Sequence, residues 1–396
     1  MARKAAAGTG TIRKKTVTRS GKEYTYWEAR YTAGRDPGTG KQIQRSITGK
    51  TQKEVAQKLK AATASIDSGT YTAPSKMTVG QWLDIWTADY LGGVKPRTSD
   101  SYKSTVKTHI APALGAVKLE ALNTHTIQSF YNGLGVEQDG KPGLSPKTVK
   151  NIHGVLHKAL QQAVAVSYIR FNPAESCTLP RVEKKEIHPL DELESRAFLQ
   201  AVRGHRFEAL FTVTLLTGMR EGEVLGLKWD CVDFDKGTLL INKQLQQPRD
   251  GGREYHLAST KNDKPRTITP APWVIDLLRH HRARQAEQRL KAGALWEASG
   301  FVFTDALGHH LTHPAVYHSF KRVASSIGRP DARFHDLRHS YAVAAIRSGD
   351  DIKTVQGNLG HATAAFTLDV YGHVTDQMKQ ESAARMEGYI KDVLGL

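Results

Sequence analysis

The stretch His335-Asp336-Leu337-Arg338-His339-Ser340, followed by Leu359-Gly360-His361 and then by Tyr371, decides how this chain is read. His335, Arg338, His361 and Tyr371, four side chains capable of phosphoryl chemistry, fall within 37 residues. A further arginine, Arg220, stands upstream in Thr217-Gly218-Met219-Arg220-Glu221-Gly222-Glu223. A guanidinium holds a phosphodiester through paired donors, an imidazole exchanges protons near neutral pH, and a tyrosine oxygen can attack phosphorus. His335 and Arg338 are three apart and share a face of any helix that carries them.

The surrounding residues supply that helix and others. Residues 335–348 read as helical, with Leu337, Tyr341, Ala344 and Ala345 as a buried side. Residues 358–361 end the next helix, where Gly360 is a natural break. Residues 363–370 form a short helix leading to Tyr371, and 376–393 a last one with Met378, Ser382, Met386 and Ile390 four apart. Upstream, the apolar run 207–216 is a helix ending at Thr217-Gly218. Arg220 then lies in the turn before a helix with Val224 and Leu225, and Glu223 follows three residues later. Residues 237–241, 254–259 and 266–269 read as strands, the last two joined as a hairpin through Thr260-Lys261-Asn262-Asp263-Lys264.

The N-terminal part has a different texture. Residues 24–31 and 41–47 alternate as strands around an Asp36-Pro37-Gly38 turn, and Thr51 caps a helix over 52–65. Together with the run entering at Gly8, this gives a three-stranded sheet with one helix, with Val55, Leu59 and Ala62 on the packed face. Residues 69–75 read as a linker. Four helices follow, opened by Thr78, by Lys95-Pro96, near Asn123, and by Ser145-Pro146. Their aromatics, Trp82 and Trp86 among them, are expected in the core.

The net charge is +17 over 396 residues, and its placement is uneven. Residues 1–75 carry 15 Lys and Arg against 5 Asp and Glu, a net +10, while residues 181–396 carry 30 against 27. A basic N-terminal module on a nearly balanced remainder points to a polyanion partner. No apolar run approaches the ~18 residues needed to cross a bilayer, and the N-terminus is not expected to be a secretory signal. Two cysteines, Cys177 and Cys231, give neither a disulfide framework nor zinc spacing. His309, His310, His313 and His318 invite a zinc reading, but no cysteine stands with them, and no metal site is expected.

The order Arg220, His335-x-x-Arg338, His361, Tyr371 resembles the tyrosine recombinases, the family of phage and conjugative-element integrases. The resemblance covers most of the chain. It implies a multidomain α+β protein: an arm-site DNA-binding domain over 1–70 with a three-stranded sheet and helix, a four-helix core-site domain over 71–180, and a mainly helical catalytic domain over 181–396 with a small antiparallel sheet. It implies Tyr371 as the nucleophile, Arg220 and Arg338 as phosphate clamps, and His335 and His361 on the phosphate oxygens. Lys261, with Lys264 as its rival, would protonate the leaving 5′ oxygen, and Glu223 would support the local architecture. Arg13, Lys14, Lys15, Arg30 and Arg45 are candidate arm-site contacts, and Lys95, Arg97, Lys103 and Lys147 candidate core-site contacts.

On this resemblance the reaction needs no cofactor, and the partner is double-stranded DNA at core and arm sites. The assembly is a homotetramer coupled through the C-terminal helix, and accessory DNA-bending and excision factors are further expected partners. The setting is the bacterial cytoplasm, at the nucleoid. A cleavage-dead architectural or regulatory protein of the same fold is one alternative, and the complete catalytic set speaks against it. A type IB topoisomerase is another, opposed by the three segments and the exchange helix. Tyr341, on the buried side of its helix, and Tyr389, inside the last helix, are weaker nucleophile candidates.

Overall fold

The computed structural model describes residues 11–35, 38–68, 76–137, 140, 142–183, 187–247, 254–260, 264–361, 363 and 375–395. Lys261, Tyr371, the linker 69–75 and most of the short helix expected over 363–370 lie outside the described residues. The chain divides into two compact units, Met1–Glu183 and Lys184–Leu396.

In the first unit, β1 (Thr11–Arg19), β2 (Lys22–Arg35) and β3 (Gln42–Gly49) form an antiparallel sheet in that order. Helix α1 (Gln52–Asp67) starts where the Thr51 hydroxyl accepts the Glu54 N–H, and it buries Val55 and Leu59 against Ala29 and Tyr31. Side chains along a strand alternate between faces. The pairs Ile12–Ala29 and Ala29–Ile47 therefore mark the helix-covered face, and Arg13–Glu28 and Lys15–Tyr26 mark the open one. This register separates the five candidate cations. Arg13, Lys15 and Arg30 share the open face, whereas Lys14, opposite Trp27, and Arg45, opposite Tyr31, belong to the α1 side.

The same unit holds α2 (Val79–Asp89), α3 (Pro96–Thr105), α4 (Ala111–Leu114), α5 (Thr124–Leu134) and α6 (Pro146–Ala165). Thr78 and Gln81 close a capping box on α2, and the Asn123 and Ser145 side chains cap α5 and α6. The second of the four expected helices is irregular. A π-helical turn, Val106–Ile110, links α3 to α4. Pro112 has no N–H to continue the α-helical ladder there, and a wider turn absorbs the loss. Trp82, Leu83 and Trp86 pack with Ile127, Leu156 and Leu160 in the core. The Trp82 indole donates to the Ala159 carbonyl at 2.9 Å, so the ring is buried with its polar atom satisfied. Lys95, Arg97, Lys103 and Lys147 are all exposed.

The second unit contains α7 (Glu192–Ala201), α8 (Glu208–Thr217), α9 (Glu221–Leu225), α10 (Pro272–Ala292), α11 (His313–Ser326), α12 (Phe334–Arg347), α13 (Ile352–Leu359) and α14 (Thr375–Leu394). Helix α8 runs through the core, and only Glu208 and Leu216 of its ten residues are not buried. Its Thr214 and Thr217 hydroxyls donate to the Leu210 and Val213 carbonyls, which lets them sit in an apolar interior. Phe198, Phe211, Phe320 and Phe334 meet around α8.

Five short strands complete the unit, and their pairing corrects the expected hairpin. β5 (Thr238–Ile241) pairs with β4 (Val232–Asp233) and β8 (Arg266–Ile268), while β6 (Lys243–Gln246) pairs with β7 (His256–Ser259). The residues between β7 and β8 thus connect two sheets. The chain breaks between β5 and β6 at Asn242, whose Oδ1 lies 3.7 Å from the Cys231 thiol, and β6 leaves to line α9. Gly226 at the end of α9 allows that approach, because a Cβ there would come 2.7 Å from the Leu245 nitrogen.

Helix α12 also departs from expectation. Ala344 is exposed, while Ala342, Val343, Ala345 and Ile346 are buried. With Asp336, Arg338, His339 and Ser340 buried as well, the helix is enclosed on most sides, so a single apolar stripe does not describe it.

Candidate active site

The site is made where helices stop. Helix α8 ends at Gly218, in the left-handed conformation with φ 65°, and α13 ends at Gly360, with φ 62°. An added Cβ at Gly218 would collide with the Tyr341 ring and lie 2.7 Å from Leu359 Cδ2, so both backbone conformation and space call for glycine there. The last carbonyls of a helix have no partner within it. Arginines take several of them. Arg338 Nη1 donates to the Gly218 carbonyl at 2.7 Å and its Nη2 to the Leu359 carbonyl at 2.6 Å. Arg220 Nη2 donates to the Gly360 carbonyl at 3.2 Å.

Arg220 is the N-cap of α9, and its backbone N–H donates to Glu223 Oε2 at 2.9 Å while its Nη1 donates to Oε1 at 2.8 Å. Glu223 is buried, and a second arginine reaches it. Arg266 on β8 donates from Nη1 and Nη2 to the two carboxylate oxygens at 2.9 and 2.7 Å, and from Nε to the Asn358 carbonyl at 2.8 Å. Burial pushes the Glu223 pKa up, but the Arg266 hydrogen bonds and charge, with Arg220, outweigh it and bring the carboxyl down to about 2. The carboxylate is therefore a fixed anion that orients both guanidiniums.

Three imidazoles complete the cluster. The His335 and His339 rings meet edge to face at 4.9 Å. His335 keeps an exposed edge at the start of α12, but desolvation of its ring within the cluster, then His339, Arg338 and Arg220, bring it down to about 4. Burial also brings His339 to about 4, with Asp336 opposing the shift and Arg333 and Arg338 adding to it. His361 falls to about 3 through burial and then Arg338, Arg220 and the two other histidines. All three rings are neutral at pH 7, so each can accept a proton at one nitrogen and donate a hydrogen bond from the other. Arg338 and Arg220 bind the carbonyls of Leu359 and Gly360 just before His361, and His335 lies one turn before Arg338 on α12, so these four expected site residues fall in one cluster. The arrangement offers two fixed guanidiniums and neutral imidazoles to a single anion, which suits phosphoryl transfer.

The C-terminal part of the chain, residues 189–378, matches the phage integrase family, and residues 78–135 match the phage integrase N-terminal SAM-like domain. A tyrosine recombinase XerC-like protein of Caldanaerobacter subterraneus subsp. tengcongensis is 32% identical over 389 residues, which cover 93% of this chain and 96% of that protein. The chain belongs to the tyrosine recombinases of the phage integrase family. Among solved structures, the Tn1549 transposon integrase in complex with transposon right end DNA superposes with a TM-score of 0.67 at 21% identity, covering 78% of this chain and all of that one. A lambda integrase tetramer bound to a Holliday junction has a TM-score of 0.54 at 20% identity, over 91% and 97% of the two chains.

Membership makes this chain a site-specific recombinase enzyme. Of its expected site residues, Lys261 and Tyr371 lie outside the described residues, and Lys264 is exposed, its carbonyl accepting from the Thr260 hydroxyl at 3.1 Å. Tyr341 is half-buried and its hydroxyl accepts from Asn358 Nδ2 at 3.0 Å. Tyr389 is exposed on α14. The four histidines of the zinc reading have other neighbours: His309 contacts Asp305, His310 lies tilted against the Tyr255 ring, His313 contacts Glu221, and His318 packs edge-on to Tyr317. Among the described residues no helix is long and apolar enough to cross a membrane.

Arg266 and His339 were not singled out from the sequence of the recombinase. His339 stands beside the expected motif and invited inclusion by adjacency. Arg266 sits 43 residues from the acid it binds, and nothing local marks it apart from other strand arginines.

Proposed function

We propose that the chain cuts and rejoins DNA at specific sites through a 3′-phosphotyrosine link, and so integrates and excises a mobile element. The observation that carries this reading is the convergence of Arg220, Arg338, His335 and His361 at the ends of α8 and α13. The Tyr371 oxygen attacks phosphorus, its proton passes to neutral His335, and the bond to the 5′ oxygen breaks. Lys261 protonates that leaving oxygen. Arg220 and Arg338, with a hydrogen bond from His361, stabilise the charge on the pentacoordinate phosphorus. A 5′-hydroxyl of another strand then attacks the phosphotyrosine and reseals the DNA, so no nucleotide is consumed. The positive side chains take the place that metal ions hold in other phosphoryl-transfer enzymes.

Residues 1–70 act as the arm-site module, 71–180 as the core-site module, and 181–396 as the catalytic domain. The +10 charge of residues 1–75 supports the first assignment. The working assembly is a homotetramer on DNA. The lambda integrase tetramer supports this, as does α14, on which Met386, Tyr389 and Ile390 stand exposed and available to a neighbouring subunit. Exposing the protein to a nicked duplex from which the short fragment bearing the freed 5′-hydroxyl diffuses away tests the chemistry. Wild type accumulates a detergent-resistant protein–DNA adduct. An adduct formed equally well by Tyr371→Phe places the nucleophile elsewhere.

A further inference from the structure

The open face of the N-terminal sheet hides an acid. The Glu28 side chain is only 8% exposed although no helix among the described residues covers this face. Its cover is made of cations: Arg13, with Lys15 Nζ at 3.6 Å from Oε1 and Arg30 Nε at 3.9 Å from Oε2. Only Arg13 is fixed. Its Nε and Nη2 both donate to Oε2, at 3.1 and 2.8 Å, yet the side chain stays 52% exposed. The hydrogen bond from Arg13 holds the Glu28 carboxyl below the usual range, so the pair remains charged.

A carboxylate on a surface that meets a polyanion works against affinity. Its use must lie in geometry. With Nε and one Nη2 hydrogen turned to the acid, the outer edge of the Arg13 guanidinium faces away from it. That edge carries the parallel donors that match O6 and N7 of guanine in the major groove, a groove wide enough for β-strands. Fixing the side chain beforehand removes rotamer freedom that binding would otherwise have to freeze. Lys15 and Arg30, with no hydrogen bond to the acid, remain point charges suited to phosphates.

We propose that Glu28 determines sequence specificity by holding Arg13 edge-out to read one guanine of a DNA duplex laid on the open face of the sheet. This rests on the reading of residues 1–70 as an arm-site module. The test selects duplexes from a random-sequence library with the full-length protein, its 1–70 deletion, Glu28→Gln and Arg13→Lys. Wild type enriches two motifs, and the deletion loses one of them. If both proteins enrich the same single motif, the arm-site reading itself fails. Within the arm motif, Arg13→Lys keeps the charge but loses the planar fork, and lowers the preference for one guanine about tenfold or more. Glu28→Gln relaxes that same position while it tightens binding to unselected duplex, because a negative charge has gone. An unchanged guanine preference in either Arg13→Lys or Glu28→Gln overturns the proposal, as does relaxation at different positions in the two variants. Should Glu28→Gln lose the arm motif entirely, Arg13→Lys decides alone, since an exposed lysine there leaves the sheet core untouched.

Discussion

The two units pin arginines on buried acids but leave those arginines exposed to different degrees. In the proposed catalytic cluster Arg338 is 2% exposed and Glu223 1%, and the guanidiniums are bound by helix-end carbonyls and a buried carboxylate. On the N-terminal sheet the Arg13 and Arg30 side chains are 52% and 56% exposed. A reacting phosphorus needs donors whose positions are set before it arrives. Long-range attraction to a duplex needs only charge near the surface. The contrast separates chemistry from affinity, and each can be disturbed without the other.

The sharpest break is Tyr371→Phe, which removes the proposed attacking oxygen and keeps the ring. Covalent adduct formation falls to background, while duplex affinity in a mobility-shift titration stays within about twofold of wild type, as expected when phosphate contacts elsewhere dominate binding. Arg220→Ala and Arg338→Ala come next. Each lowers single-turnover cleavage by about 10²–10³-fold, the usual cost of one charge-stabilising donor, with a small change in affinity. Cleavage of a nicked duplex at wild-type rate by either variant would remove that arginine from the site.

Glu223→Ala sharpens the contrast through stability. It leaves Arg266 and Arg220 without their buried anion, and such a broken pair costs about 3–5 kcal/mol in denaturant unfolding. The Lys58–Glu54 pair is exposed and screened by water, so Glu54→Ala serves as the control and should shift unfolding far less. Acid acts on the same cluster. His335, His339 and His361 have folded pKa values near 4, 4 and 3, below the ordinary 6.5. The unfolded chain therefore takes up protons first, and stability present above pH 6.5 is lost as pH falls toward 4. Glu223, with a pKa of about 2, adds stability that is present above 4.5 and lost below it. Thermal unfolding from pH 8 to 4 should show this decline for the second unit. A midpoint that is flat over that range contradicts the neutral-imidazole cluster.

Deleting residues 1–70 has the smallest effect on chemistry. Cleavage of a core-site duplex stays near wild type, whereas recombination of a complete attachment site drops, because tethering through a second DNA contact is lost. Equal recombination by both proteins would make the N-terminal module dispensable.

Short-range signals were enough for most elements, and they picked out four residues that the fold brings together at the ends of α8 and α13. The caps at Thr51, Thr78, Asn123 and Ser145, the left-handed glycines at 218 and 360, and the three-residue step from His335 to Arg338 each depend on neighbours within a turn of chain. Their reading needs only backbone sterics and helix periodicity. Strand pairing depends on partners far along the chain, and there local pattern failed. β7 turned out to pair with β6, and Lys14 and Arg45 fell on the other side of the N-terminal sheet from Arg13, Lys15 and Arg30. The enclosure of α12 and the Arg266–Glu223 bond have the same origin. Burial of a charge is tolerated only where a distant partner meets it, and which partner that is follows from the packing of β8, α9 and α13 together.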